Sequence, residues 1–284
     1  MKPDRTGAAR IPNILAIAGS DPSGGAGIQA DIKAISANGG YAMAALTALT
    51  AQNTRGVSGV HGVPPDFVAA QIAAVRADIR VDAVKIGMIA SAEIAEAVAD
   101  ALAGLAAPVA LDPVMVAKGG DRLLADEALD ALRARLAPLA TVLTPNLPEA
   151  AALLDRGPIE TRDQMEDAAA ALRALGPRAV LLKGGHLGGD TSPDLLLHAD
   201  GAAWFERPRH PTRNTHGTGC TLSSALAAAL GRAALEAEGT MPDAPALEAA
   251  AREAGDYVAG AIAAADRLEV GGGHGPLHHF FRHG

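Results

Sequence analysis

The feature that most constrains the fold is an alternation of short apolar runs with longer segments of helical spacing. Each run ends in glycine, proline or a polar residue, which is typical of strands buried beneath helices on both faces. The runs cover residues 13–18, 83–86, 108–111, 141–144, 179–182 and 194–198. A further alanine-rich stretch, residues 42–50, is ambiguous between strand and helix.

The segments between these runs carry apolar residues at the spacing of amphipathic helices. The predicted helices cover residues 66–79, 91–105, 126–136, 161–175, 219–230 and 246–265. Thr161 is suited to cap the start of the fourth helix, and Gly176 with Pro177 is suited to end it. The alternation predicts a mostly parallel sheet covered by helices on both faces. We expect one domain over residues 13–284, after a flexible extension over residues 1–12, with an exposed loop near residues 237–245.

Composition excludes several classes of function. The formal net charge is −8 and no dense basic stripe occurs, so a nucleic-acid partner is not expected. No stretch is apolar and long enough to span a bilayer, and the first twelve residues contain no apolar core of a secretory signal. The single cysteine, Cys220, fits a reducing compartment. We therefore expect a cytoplasmic protein without a membrane partner.

The strongest functional signal is a threonine between two glycines, directly before a predicted helix. Gly217 and Gly219 allow the backbone to approach a ligand closely, and the unpaired amides of a helix start favour an anion. A plain glycine turn is the alternative. Cys220 falls in the first turn of this helix, where we expect the helix end to favour the thiolate, which could accept a proton from a substrate hydroxyl. A buried structural cysteine is the alternative.

Polar residues suited to a metal or a phosphate follow three of the apolar runs. Asp112 could bind Mg²⁺ or a bound water, or could simply form a turn with Pro113. Asn146 and Glu149 are spaced so that one helical turn could aim both at one place, although a helix cap formed by the same two residues is an alternative that does not exclude this role. Lys183 precedes two glycines and could reach a phosphate, unless it is only a solvated lysine at a turn.

Two further segments indicate substrate binding, and a third, rich in histidine, does not match a known metal-binding pattern. The glycine-rich loop of residues 18–27 lacks the spacing of a dinucleotide-binding loop, so a substrate loop is the better interpretation. Gln52 offers an amide whose donor and acceptor match the edge of a heteroaromatic ring. The histidine-rich segment of residues 271–281 matches no zinc spacing, and we expect a flexible tail or a packed end there.

Five of these motifs occupy successive strand ends of one alternating chain, where open sheets bind their ligands. Together they supply an anion hole, a candidate base, two acids directed at a metal and a lysine for phosphate, which are the parts that phosphoryl transfer requires. In combination the motifs closely resemble those of bacterial hydroxymethylpyrimidine/phosphomethylpyrimidine kinases of thiamine biosynthesis. The resemblance rests on residues 18–27, 47–54, 85–88, 112–115, 144–149, 183–186 and 216–220.

The resemblance implies a ribokinase-like three-layer α/β/α sandwich, use of ATP with Mg²⁺, and a homodimer. Members of that family phosphorylate 4-amino-5-hydroxymethyl-2-methylpyrimidine and then convert the monophosphate to the diphosphate. The substrate-binding residues that the resemblance implies are Gly19, Asp21, Gln52, Met88 and Val114. The implied ATP- and metal-binding residues are Asn146, Lys183 and Thr218 for ATP, and Asp112 and Glu149 for the metal. The implied catalytic residues are Gly217, Gly219, Cys220 and Lys183.

Three other functions stay open on the sequence. A pyridoxal or pyridoxine kinase of the same fold would act on a similar hydroxymethyl-substituted heteroaromatic ring. A non-catalytic pyrimidine sensor could retain the fold, although both acids, the lysine and the Gly-Thr-Gly-Cys motif are all present. A hydrolase could use Cys220 as a nucleophile, although no paired histidine and asparagine are evident.

Overall fold

The computed structural model describes residues 10–115 and 126–283. Within them, nine strands form one sheet in the order β3-β2-β1-β4-β5-β6-β7-β8-β9. The strands are β1 Asn13–Ser20, β2 Tyr41–Asn53, β3 Gly56–Gly62, β4 Ala83–Ile86, β5 Val109–Leu111, β6 Val142–Leu143, β7 Ala179–Lys183, β8 Thr191–His198 and β9 Gly201–Pro208. Six neighbouring strands, from β2 through β1, β4, β5 and β6 to β7, pair in parallel, and the outer strands β3, β8 and β9 pair antiparallel.

Helices cover both faces of the sheet. They are α1 Gly27–Ala37, α2 Pro65–Asp78, α3 Ala92–Leu102, α4 Asp126–Ala131, α5 Leu147–Leu153, α6 Arg162–Arg173, α7 Thr218–Glu236 and α8 Ala244–Ala263. One apolar core joins the sheet to α2, α3, α5 and α6, and a second core on the opposite face joins it to α1, α7 and α8. None of the helices in the described segments has the length and apolar character needed to cross a bilayer. The predicted three-layer α/β/α arrangement is confirmed.

The second face contains a buried ion pair that ties one helix to the sheet. Lys85 on β4 donates from Nζ to both carboxylate oxygens of Asp31 on α1, at 2.7 and 2.8 Å, and both side chains are 0% exposed. Ser224 on α7 donates to the same carboxylate at 2.8 Å. Burial lowers the pKa of Lys85, but the negative charges around it, that of Asp31 first, together outweigh burial and raise that pKa overall, so the lysine stays charged.

The structure departs from the predicted elements in several places. The ambiguous stretch at residues 42–50 is a strand, inside β2. The run at residues 194–198 was expected to be parallel, but it belongs to β8, which pairs antiparallel on both sides. The elements β3, β9 and α1 were not predicted, and α5 was foreseen only through the alternative of a helix cap at Asn146. The predicted extension lies mostly in residues 1–9, outside the described residues.

Candidate active site

The carboxyl ends of the parallel strands place the predicted site residues along one edge of the sheet. Asp112 follows β5, and Asn146 follows β6 and forms a parallel bridge with Lys183, the last residue of β7. Because neighbouring parallel strands end on the same side, side chains more than thirty positions apart in sequence become neighbours here. The candidate active site lies at this edge of the sheet.

Asp112, which is buried, and Lys183 and Glu149, which are partly buried, form one cluster at that edge. Lys183 donates from Nζ to Asp112 Oδ1 at 2.9 Å and lies 3.7 Å from Glu149 Oε2. Burial lowers the pKa of Lys183, but the two carboxylates outweigh it and raise that pKa above its ordinary value, so the ammonium group persists at neutral pH. Burial raises the pKa of Glu149, against the lowering effect of Lys183. The cluster therefore holds a fixed positive charge between two acids.

Asn146 and Glu149 also form the helix cap that the sequence left open as an alternative. The Asn146 side chain accepts a hydrogen bond from the Glu149 amide at 2.8 Å, and Glu149 Oε2 accepts one from the Asn146 amide at 2.8 Å. This capping box fixes the start of α5. One oxygen of Glu149 is thereby occupied, while its carboxylate still faces Lys183 and Asp112.

The start of α7 borders the site on the face of the sheet that is covered by α1, α7 and α8. Gly217 has a φ of +80° and precedes the helix, and a Cβ added there would lie 1.8 Å from the carbonyl oxygen of Gly25. Only glycine satisfies both constraints. A Cβ on Gly219 would lie 3.3 Å from both Asp112 Oδ2 and Lys183 Nζ, so the first amides of α7 adjoin the charged cluster. The Thr218 hydroxyl donates to the Thr215 carbonyl at 2.8 Å and so braces the turn.

The expectation that the helix end favours the Cys220 thiolate is wrong. Burial is the largest effect on the pKa of Cys220, and the balance of burial with nearby groups raises that pKa to about 11. Lys85 and a hydrogen bond from the Gly27 amide lower it, but the charges of Asp31 and Asp112 raise it further. The resting group at neutral pH is therefore the thiol.

The glycine-rich loop between β1 and α1 is organised by Asp21. Its carboxylate accepts hydrogen bonds from Ser23 N at 2.9 Å, Ser23 Oγ at 2.7 Å and Ala26 N at 2.8 Å, and it contacts His216 Nε2 at 2.8 Å. Burial raises the pKa of Asp21, but the hydrogen bonds, that of His216 first, outweigh it and lower the pKa to about 2. Asp21 thus holds the glycine-rich loop against the segment before α7.

The other predicted substrate residues lie around the end of β1. The Met88 methyl packs against Gly19, where a Cβ would lie 2.3 Å from it. Gln52 is half-buried, and its Nε2 lies 3.5 Å from His216 Nε2. Because the hydrogen on that ring nitrogen serves Asp21, the Gln52 amide nitrogen does not bond there and is available to a ligand. Val114 is half-buried, two residues beyond Asp112.

The donor set of the site fits a magnesium ion that arrives with a nucleotide. Mg²⁺ is usually held by one or two carboxylates together with phosphate oxygens and waters. Asp112 and Glu149 are two such carboxylates. Across the described segments, no three His, Cys, Asp or Glu side chains form a group able to hold a metal by themselves, so a bound phosphate would have to complete the coordination.

Sequence reasoning assigned no site role to three buried side chains near the site. They are Asp31, paired with Lys85; His216, paired with Asp21; and His279, which contacts Thr221 on α7 at 3.0 Å. The partners are separated by 54, 195 and 58 positions. No local spacing encodes such pairs.

The comparisons with known proteins identify the family. A protein-family model described as phosphomethylpyrimidine kinase matches residues 21–278. The chain belongs to the phosphomethylpyrimidine kinase family. The hydroxymethylpyrimidine/phosphomethylpyrimidine kinase of Escherichia coli (strain K12) is 51% identical over 269 residues, which cover 94% of this chain and 97% of that protein. The predicted resemblance is confirmed, and this phosphomethylpyrimidine kinase family member is an enzyme.

Solved structures of two kinds superpose on this family member. A phosphomethylpyrimidine kinase from Clostridium difficile 630 is 37% identical with a TM-score of 0.72, covering 88% of this chain and 100% of its own. A pyridoxal kinase from Staphylococcus aureus, in complex with AMP-PCP and pyridoxal, is 30% identical with a TM-score of 0.83, covering 96% and 95%. The predicted ribokinase-like fold is confirmed by these neighbours.

Proposed function

We propose that this kinase transfers the γ-phosphoryl group of ATP to the hydroxymethyl group of 4-amino-5-hydroxymethyl-2-methylpyrimidine, and a second phosphoryl group to the resulting monophosphate. The observation that carries the proposal is the convergence of Asp112, Glu149, Lys183 and the glycine-flanked start of α7 at one edge of the sheet. The name of the E. coli relative, which is 51% identical, covers both steps.

Each group in the site has a part in phosphoryl transfer, where catalysis is mostly positioning and neutralisation of charge. Lys183 stays positively charged and contacts the phosphates, together with Asn146 and Thr218. The amides from Gly217 to Cys220 form the anion hole that receives the transferred group. Gln52, Asp21 and the backbone around Gly19 orient the pyrimidine, and Met88 and Val114 line its pocket.

Two carboxylates and one thiol act at the reacting atoms. Asp112 and Glu149 would hold Mg²⁺, which when bound neutralises charge on the phosphates. Cys220 lies at the start of α7, and it is the thiolate form of Cys220 that takes the hydroxyl proton of the acceptor. Its high pKa means that only a small fraction of thiolate exists at neutral pH, so we expect proton transfer from the alcohol to limit the rate.

The test is product analysis by mass spectrometry after incubation of the purified protein with the pyrimidine alcohol and Mg-ATP. We expect products that carry one and then two phosphoryl groups. Tight binding of the pyrimidine without any phosphorylated product would support a non-catalytic sensor instead. A covalent acyl-enzyme on Cys220 would support a hydrolase.

The second candidate is a pyridoxal or pyridoxine kinase, favoured by the TM-score of 0.83 with the S. aureus pyridoxal kinase. The identity of 30% with that protein is well below the 51% with the E. coli pyrimidine kinase, and for this reason we place it second. Coupled assays with each alcohol at equal concentration separate the two. A much higher kcat/KM for the pyridine alcohol would overturn our choice.

We also propose that the enzyme is a homodimer that works in the cytoplasm, as the family likeness implies. In the described part of the sheet, the outer strand β3 pairs only with β2, which leaves its other edge available to a second copy. Size-exclusion chromatography with light scattering tests the assembly. A monomer at micromolar concentration would contradict it.

A further inference from the structure

The histidine-rich segment, residues 271–281, packs against the active-site loops. His216 N donates to Gly275 O at 3.0 Å, and Gly275 N donates to Asn214 Oδ1 at 3.1 Å. His274 N donates to Thr54 O at 2.9 Å, next to the candidate substrate residue Gln52. The segment therefore joins the loop before α7 to the end of β2, and it is the packed end that the sequence left as one alternative.

His279 is the member of this segment that reaches the anion hole. It is 4% exposed, and its Nε2 lies 3.0 Å from Thr221 Oγ1 on the first turn of α7. Thr221 is fully buried, and its Oγ1 also lies 2.8 Å from the carbonyl oxygen of Gly217. The three groups form a chain from the histidine-rich segment to the residue that begins the anion hole.

The direction of these hydrogen bonds follows from the number of protons. A threonine hydroxyl has one hydrogen, and a carbonyl oxygen can only accept. Both contacts are hydrogen bonds only when Thr221 donates to Gly217 O and accepts from the Nε2–H of His279. The opposite arrangement would place two acceptor oxygens 2.8 Å apart without a hydrogen between them.

The hydrogen bonds from His279 to Thr221 and from Thr221 to Gly217, together called the relay, restrain one peptide plane of the anion hole. The carbonyl of Gly217 lies in the same peptide plane as the amide of Thr218. Thr221 holds this carbonyl twice, through its backbone N–H at 2.9 Å and its hydroxyl at 2.8 Å, so the hydroxyl adds a second restraint on where the Thr218 amide points. Gly217 itself adopts a left-handed conformation against Gly25.

His279 is itself held rigidly and stays neutral. The hydroxyl of Tyr257, which is fully buried on α8, donates to the His279 carbonyl at 2.7 Å. Burial first, and then the positive charges of Lys33 and His278, lower the pKa of His279 to about 4. A neutral imidazole carries a single N–H, and the contact with Thr221 assigns that hydrogen to Nε2.

We propose that His279 is a positioning residue for phosphoryl transfer, which keeps the anion hole in shape through Thr221 and the Gly217 carbonyl. His279 does not touch substrate. The inference rests on the proposed function, because it assigns a task to the anion hole of that reaction. It makes the histidine-rich segment part of the active-site framework.

The test compares His279→Ala with His279→Gln, whose side-chain amide can donate from a similar position. We expect His279→Ala to lower kcat about tenfold, the size of one lost neutral hydrogen bond, with the KM for the pyrimidine alcohol nearly unchanged. His279→Gln should recover most of kcat. His278→Ala, at the neighbouring half-buried histidine, is the matched control and should keep wild-type kcat.

Thr221→Val keeps the test decisive if His279→Ala folds poorly. It removes only the hydroxyl, and we expect the same loss of kcat. The double variant should be no slower than either single variant, because both changes break one relay. A kcat for either single variant within twofold of wild type, or no recovery by His279→Gln, would overturn the inference. A wild-type enzyme that phosphorylates no pyrimidine alcohol would instead count against the proposed function.

Discussion

Replacement of Lys85 by methionine tests the buried ion pair between β4 and α1. The substitution keeps most of the length and volume of the side chain but removes its charge. It leaves the Asp31 carboxylate fully buried, and Ser224 still donates a hydrogen bond to it. An unpaired carboxylate at such a site will bind a proton rather than stay charged.

The energetic cost follows from that proton. An unfolded aspartic acid has a pKa of about 3.9, so holding Asp31 protonated at pH 7 costs about 4 kcal/mol of the free energy of unfolding. The cost falls by about 1.4 kcal/mol per unit as the pH decreases, to about 1.5 kcal/mol at pH 5. The sign follows because the pKa of Asp31 is higher in the folded variant than in its unfolded state. The variant therefore keeps its full stability below the unfolded pKa and loses stability as the pH rises above it.

The assay is urea unfolding followed by circular dichroism at pH 5, 6, 7 and 8. The double variant Lys85→Met with Asp31→Leu removes both charges, and we expect stability close to that of the wild type, since a buried ion pair can often be replaced by apolar residues. The matched control is Arg135→Met, which breaks an exposed pair with Asp100 whose side chains are 42% and 73% exposed. It should cost less than about 1 kcal/mol at every pH.

Three results would refute this reasoning. The first is a loss below about 1 kcal/mol for Lys85→Met at pH 7, which would mean that the Asp31 site tolerates a charge without a partner. The second is a double variant as unstable as the single variant, which would mean that the loss comes from packing and not from the unpaired carboxylate. A loss that does not vary with pH would lead to the same conclusion as the second.

Four other predictions follow from the same geometry. Cys220→Ala should lower kcat by about 10²–10⁴ while calorimetry shows nearly unchanged pyrimidine binding; unchanged activity would remove the thiol from proton transfer. Asp112→Ala should raise the Mg²⁺ concentration for half-maximal activity about tenfold or more, and an unchanged titration would contradict the metal role. Gly217→Ala should cost about 1–3 kcal/mol of stability and most of kcat, because its Cβ meets a backbone oxygen. The control is Gly39→Ala, where φ is +79° but the surrounding space is open. That variant should lose only the part of the stability that comes from the unfavourable backbone conformation. The stability of the wild type relative to His279→Gln should fall by about 3 kcal/mol as the pH drops from about 6.5 to 4, since only the unfolded state binds the proton in that window; parallel stability curves would refute it.

The sheet and the placement of the site could be predicted because they depend on short-range patterns. Asp112 and Lys183 each stand at the end of a buried run, and parallel strands bring such ends together without any knowledge of side-chain packing. The strand β3 was not predictable in the same way, because most of its residues are exposed and carry no apolar alternation. The direction of β8 was also hidden, since a short apolar run does not encode which way its neighbour points.

Cys220 shows where sequence reasoning ends. Its position at a helix start was read correctly, and a helix start does favour a thiolate. The pKa of about 11 is instead the balance of burial with charges from α1, β4 and the end of β5, which are Asp31, Lys85 and Asp112. Those groups lie from 108 to 189 positions away along the chain, so their effect exists only in the folded protein. The ionisation of the candidate base is thus set by tertiary contacts, and the variants at Lys85 and Asp31 that test stability would also shift the pKa of this thiol.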